Sequence, residues 1–154
     1  MKKLIGGNWK MNCTMDTFEQ SKNTLLSIPD DVDVFIAAPY VYVGDCFRYF
    51  NEKVKIGAQN VSKFECGAYT GEVSAKMLRE HKFEYVLVGH SERRINFLET
   101  DDDVNLKLKM SLKNGLRPVL CIGEPIPERV SGRYLMFLKK QFANSTQGHK
   151  KCIV

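Results

Sequence analysis

Five short apolar runs punctuate the chain: LIGGNW at 4–9, VDVFIAA at 32–38, VKIGA at 54–58, YVLVG at 85–89 and VLCIG at 119–123. Several are nearly continuous in apolar residues, the pattern of parallel strands covered on both faces. The stretches between them carry helical periodicity. Phe18, Leu25 and Leu26 fall on one face, Val104, Leu108 and Leu112 on another, and Leu135, Leu138 and Phe142 on a third that starts after Gly132. Thr100 followed by Asp103 predicts a capping box, with Asp101 to Asp103 suited to a helix N-terminus, and Gly115 stands where the C′ residue belongs. Five strand–helix repeats predict an α/β fold. Both an open doubly wound sheet and part of a barrel fit this rhythm. A chain of 154 residues is one domain by size. It is too short for a complete (β/α)₈ barrel, which takes about 250 residues and rarely fewer than about 200.

The net charge of +5 comes from basic residues scattered along the chain. No basic stripe or reader motif predicts nucleic-acid binding. A mild positive field suits a small anionic substrate. Cys13, Cys46, Cys66, Cys121 and Cys152 form no C-x-x-C pair. No metal site or thioredoxin-like motif is therefore expected. The N-terminus lacks an apolar signal core and no run approaches the ~20 apolar residues of a membrane span. Reduced thiols and a cytoplasmic setting are the expectation. The N-x-[ST] matches at Asn12, Asn60 and Asn144 read as chance.

One segment breaks the rhythm. Residues 60–71 (NVSKFECGAYTG) form a long aperiodic loop after the third run. Such loops are commonly functional or interface-forming. Residues 143–154 turn polar and aperiodic and are expected to fray, which divides the chain into a barrel-like part at 1–142 and a tail at 143–154. Three polar clusters stand at strand ends, where parallel α/β folds place their chemistry: Asn8-Trp9-Lys10, Gly89-His90-Ser91-Glu92-Arg93-Arg94 and Cys121-Ile122-Gly123-Glu124. Lysine there can clamp an anion, histidine can move a proton, and a carboxylate can tune a neighbouring cation. Together they point to a site for a phosphate or a carbonyl. No P-loop, G-x-G-x-x-G or Ser–His–Asp arrangement competes.

The order and spacing of several motifs resemble the triosephosphate isomerase family. They are GNWKMN (7–12), GAQN (57–60), GAYTGEVS (67–74), YVLVGHSERR (85–94), ETD (99–101) and GLRPVLCIGE (115–124). The resemblance spans residues 3–142 and implies a partial TIM (β/α)₈ barrel: five parallel βα units with incomplete closure. It also implies a glycolytic and gluconeogenic, cofactor-free interconversion of dihydroxyacetone phosphate and glyceraldehyde 3-phosphate in a homodimer. On that resemblance His90 is the catalytic electrophile, acting as a neutral ring that polarises the carbonyl. Lys10 is catalytic and clamps substrate and enediolate, and Asn8 binds the substrate. Glu92 pairs with Lys10, while Ser91 and Cys121 are supporting residues. Thr70, with Tyr69 and Gly71, belongs to a dimer interface at which Thr70 reaches the partner subunit's site.

The family's general base lies in a Tyr-Glu-Pro-x-Trp-Ala-Ile-Gly segment on the sixth strand, followed by a closing lid. Residues 1–154 contain no such segment, nor the later phosphate-gripping glycines. The chain reads as a C-terminally truncated form that is inactive alone. A second reading is a non-catalytic fragment that pairs with a full-length subunit through 60–71. Pro125 and Pro127 follow Glu124, and Leu98 replaces a common glycine. The first and fifth strands should be open edges, and the face meant for the barrel interior should meet water, making the chain marginal or oligomeric.

Overall fold

A computed structural model describes residues 2–50, 54–149 and 151–154; the side chains of 22–26 lie outside the description. Leu25 and Leu26 of the first expected helix face are among those. The order of elements is β1 (Lys3–Asn8), α1 (Met15–Leu26), β2 (Val32–Ala38), a 3₁₀ turn (Tyr40–Tyr42), α2 (Val43–Tyr49), β3 (Val54–Ala58) and α3 (Ala75–Glu80). Then come β4 (Tyr85–Val88), α4 (Ser91–Asn96), α5 (Asp101–Lys113), β5 (Arg117–Leu120), α6 (Ile126–Val130) and α7 (Tyr134–Ser145).

The strands form one parallel sheet in sequence order, β1-β2-β3-β4-β5. This is the five-unit partial barrel that the resemblance implies. The main core lies between the sheet's outer face and the helices. Val34, Ile36, Ile56, Val86, Val88 and Leu120 meet Leu78, Val104 and Leu108 there. An aromatic cluster closes one end, with Phe18 fully buried between Trp9, Tyr49 and Phe50. The α5 signals are realised as expected. Thr100 Oγ1 accepts from the Asp103 amide, Asp103 bonds back to the Thr100 amide, and Gly115 follows the cap at φ +74°.

The structure departs from the sequence expectations in four places. The fifth strand is Arg117–Leu120, earlier than the apolar run at 119–123 suggests. The Arg117 amide already donates to Glu84, which starts the ladder before the hydrophobic run begins. The inner face is not simply open to water. Phe35 and Tyr85 stack at 4.5 Å and are buried with Ala37 and Leu87. The Phe35 ring occupies space beside Gly6 and Gly57, where any Cβ would overlap it. Two glycines thus let one aromatic residue cover the inner layer.

The described residues of 143–154 do not fray either. The α7 helix runs to Ser145, which is buried, and Asn105 Nδ2 donates to the carbonyls of Ser145 and Gln147. Further on, Ile153 forms a parallel bridge with Val119: the Leu120 amide donates to Ile153 at 2.7 Å, and the Ile153 amide donates to Pro118 at 3.0 Å. The β5 edge is therefore partly capped. Finally, α7 does not bury its Leu135–Leu138–Phe142 stripe. Gln141 and Ser145 are the buried residues, while Leu135 and Phe142 stay exposed. The helix packs on α5, with Leu138 half-buried beside Gln141 and Ser145.

Candidate active site

The strand ends carry the site. At the end of β1, Trp9 is anchored edge-on against Phe18 and Phe50. The next residue, Lys10, adopts φ +52°, a left-handed conformation rare for a non-glycine residue. Such strain persists only where neighbours over-determine it. Here the Lys10 amide donates to Asn8 Oδ1 at 2.9 Å, the Lys10 carbonyl accepts from Gln59 Nε2 at 2.9 Å, and the Asn12 amide donates back to Trp9. Gln59 also donates to Ala37, tying the ends of β1, β2 and β3 together. The Gln59 side chain is a functional support that the sequence reading missed. Its signal is its position one residue beyond β3 inside the GAQN motif.

At the end of β4, Gly89 at φ +72° turns the chain into α4, with His90 as the N-cap. Ser91 opens that helix and faces solvent. His90 Nδ1 accepts from the Glu92 amide at 3.3 Å. Glu92 Oε2 also lies 3.4 Å from Nδ1, while Glu92 Oε1 pairs with Lys10 Nζ at 2.8 Å. With the Glu92 amide as the donor at Nδ1, the ring proton is assigned to Nε2. That leaves Nε2–H free to donate. The Lys10 hydrogen bond is also what holds the Glu92 carboxyl below its ordinary range, against a smaller opposing effect of burial.

Asn8, Lys10, Gln59, His90 and Glu92 line one open cleft of about 330 Å³, with Met11, Tyr40 and Phe97 along it. Glu92 is the only carboxylate among its lining residues, and it is paired. A donor, an ammonium group and an amide converge here, as an anionic or carbonyl-bearing ligand requires, with no free base among them.

The remaining expected residues lie outside this cleft. Cys121 follows β5, and its amide donates to Val88. Burial raises its thiol, only partly offset by nearby Arg94, which suits packing rather than nucleophilic chemistry. Tyr69, Thr70 and Gly71 are exposed in the 60–71 loop and do not line the cleft. That loop is nonetheless ordered. Phe64 stacks on Tyr69, Lys63 bonds Asp103 at 2.6 Å, and Lys113 bonds Glu65 at 2.8 Å, so α5 holds it from behind. Among the described residues no group of His, Cys, Asp and Glu gathers to hold a metal ion, and no helix is long and apolar enough to cross a membrane.

Comparison with known proteins gives the family of the chain. A family model described as Triosephosphate isomerase matches residues 3–154. The triosephosphate isomerase of Cytophaga hutchinsonii is 41% identical over 149 residues, covering 94% of this chain and 59% of the relative. That of Alkaliphilus metalliredigens is 39% identical over 150 residues, covering 96% and 60%. That of Natranaerobius thermophilus is 41% identical over 143 residues, covering 91% and 56%. The chain spans about three-fifths of the length of these curated relatives. With the family model matching nearly end to end, the chain belongs to the triosephosphate isomerase family.

Proposed function

We propose that residues 1–154 hold the electrophilic half of a site that interconverts dihydroxyacetone phosphate and glyceraldehyde 3-phosphate. The observation that supports this most is the meeting of Lys10 Nζ, Asn8 and His90 in one cleft whose single carboxylate is already paired. In this reading His90 donates from Nε2 to the substrate carbonyl as it gains negative charge. The Lys10 ammonium stabilises the same developing charge, and Asn8 lies beside it. Such fixed donors help because they act where charge grows in the transition state. The Glu92 carboxylate keeps the lysine aimed rather than taking a proton from carbon. The proton-abstracting carboxylate, the water-excluding lid and the phosphate loops belong to family segments with no counterpart in residues 1–154. The chain by itself is then inactive, because proximity and base are both lost.

The exposed residues 65–71 of the loop and the apolar residues by the cleft, Met11 and Phe97, support a homodimer in which Thr70 approaches the other subunit's site. The same features support a second role, pairing with a full-length subunit. Five free cysteines fit a cytoplasmic setting. The test of the main reading is isomerisation by residues 1–154 joined to the remaining segment of the Cytophaga hutchinsonii relative, with and without His90→Gln. Activity that depends on His90 supports it, and activity indifferent to His90 overturns it.

A further inference from the structure

We infer that Arg94 is the positioning residue for His90, setting the ring's orientation and tautomer from behind the cleft. This rests on the proposed role of His90 as proton donor. Arg94 grips both carbonyls that flank the His90 α-carbon. Its Nε donates to the Gly89 carbonyl at 2.8 Å, and its own amide donates to the His90 carbonyl at 3.1 Å. With both neighbouring peptide planes fixed, the histidine backbone has little freedom to swing its ring.

The guanidinium is itself held from two other elements. Nη1 donates to Asp101 Oδ1 at 2.7 Å at the start of α5. Nη2 reaches Ser145 Oγ at 3.4 Å at the end of α7. Ser145 in turn donates to Asp101 Oδ1 at 3.2 Å, and Asn144 donates to Asp101 Oδ2 at 3.3 Å. The Arg94 side chain is only 15% exposed, so these bonds lie where solvent competes weakly. Space behind the turn is also filled: a Cβ on Gly89 would meet Arg94 Nη2 and Val104 Cγ2, each at 2.9 Å. A guanidinium suits this place because its planar fork serves a carbonyl and a carboxylate at once, which a lysine cannot do in the same geometry.

The link to chemistry is the Glu92 amide bond to Nδ1. At 3.3 Å it is long and weakens quickly with small displacements. Once it loosens, nothing assigns the ring proton to Nε2, and the Nδ1–H tautomer, which can point at Glu92, becomes populated. Arg94 thus connects the start of α5 and the buried end of α7 to the proton that the site needs.

The experiment is ¹⁵N NMR of the histidine rings in the labelled chain, read for wild type, Arg94→Met and Arg94→Lys. His90→Gln identifies the His90 signals among the three histidines, and backbone amide spectra report folding. Wild type is expected to show His90 with the proton on Nε2. Arg94→Met is expected to raise the other tautomer about fivefold, the factor that a lost hydrogen bond of about 1 kcal/mol carries. Arg94→Lys is expected to fall between, and it decides the matter if Arg94→Met does not fold. An unchanged His90 tautomer ratio in a folded variant overturns the inference. That result leaves the electrophile reading to stand or fall on the activity assay, which does not involve Arg94.

Discussion

Lys10, Lys82 and Leu98 are the non-glycine residues in the left-handed region among those described, and they differ in what holds them there. The Lys10 strain is secured by Asn8 and Gln59 and places an ammonium group in the cleft. Leu98, at φ +54°, is 81% exposed, so its side chain packs against little that could offset the strain. Leu98→Gly is therefore expected to raise unfolding stability by about 0.5–1 kcal/mol: relief of the left-handed penalty exceeds the added flexibility of the unfolded chain. Urea unfolding checks this, and a loss of stability would show that Leu98 makes contacts that its exposure hides. Asp103 gives the pH dependence at this scale. The hydrogen bond from Lys63, then that from the Thr100 amide, pulls its carboxyl down to about 2. A carboxylate depressed in the folded state contributes stability above the unfolded-state value, and that stability fades as pH falls from about 4 towards 2. Solvent screening around the partly exposed Lys63 limits the effect to about 1 kcal/mol. In Asp103→Asn this part of the acid limb should flatten in pH-dependent melting curves.

Among the elements, the clearest departures from the sequence are at β5 and α7. The α5 boundaries were legible because capping is local: Thr100, Asp103 and Gly115 act within a few residues of one another. The clusters at Lys10 and His90 were legible for the same reason, since a strand end brings neighbours in sequence to one point. The order of the described residues in 143–154 was not legible. It rests on backbone bonds and polar groups far apart in sequence, 40 residues for Asn105 to Ser145 and 51 for Arg94 to Ser145, which leave no hydrophobic period. Gln59 escaped for a similar reason: it acts on the carbonyls of Lys10 and Ala37 in other segments, and nothing in residue type alone reveals that. Arg94 stands in the cluster at the end of β4, but its bonds to Asp101 and Ser145 were equally illegible. The bridge at Ile153 makes a specific prediction. Deleting residues 152–154 should strip hydrogen-exchange protection from the Leu120 amide, which donates to Ile153, by about tenfold or more. The Cys121 amide, bonded to Val88 within the sheet, should keep its protection. Equal loss at both amides would mean that the segment stabilises the whole molecule rather than the β5 edge.

At the scale of the whole molecule, five parallel strands build a sheet whose β1 edge has no strand partner among the described residues and whose β5 edge is capped at one residue. Ile5 on β1 and Leu135 on α7 stay exposed, as open ends of an arc would leave them. The Phe35–Tyr85 stack covers part of the interior without closing it: a cleft of about 250 Å³ remains between Leu4, Leu87, Val119 and Ile153. The same division applies to the chemistry. The ammonium group, the amide and the imidazole are in place, while the chain spans about three-fifths of the length of relatives that are named isomerases. The most direct measurement is isomerisation of glyceraldehyde 3-phosphate by purified residues 1–154 and by the same residues joined to the remaining segment of the Cytophaga hutchinsonii relative. No turnover is predicted for the chain alone. The joined protein should be active and should lose about 10²–10⁴-fold on His90→Gln. Turnover by the chain alone, or a joined enzyme indifferent to His90→Gln, would contradict the assignment of an electrophilic half-site.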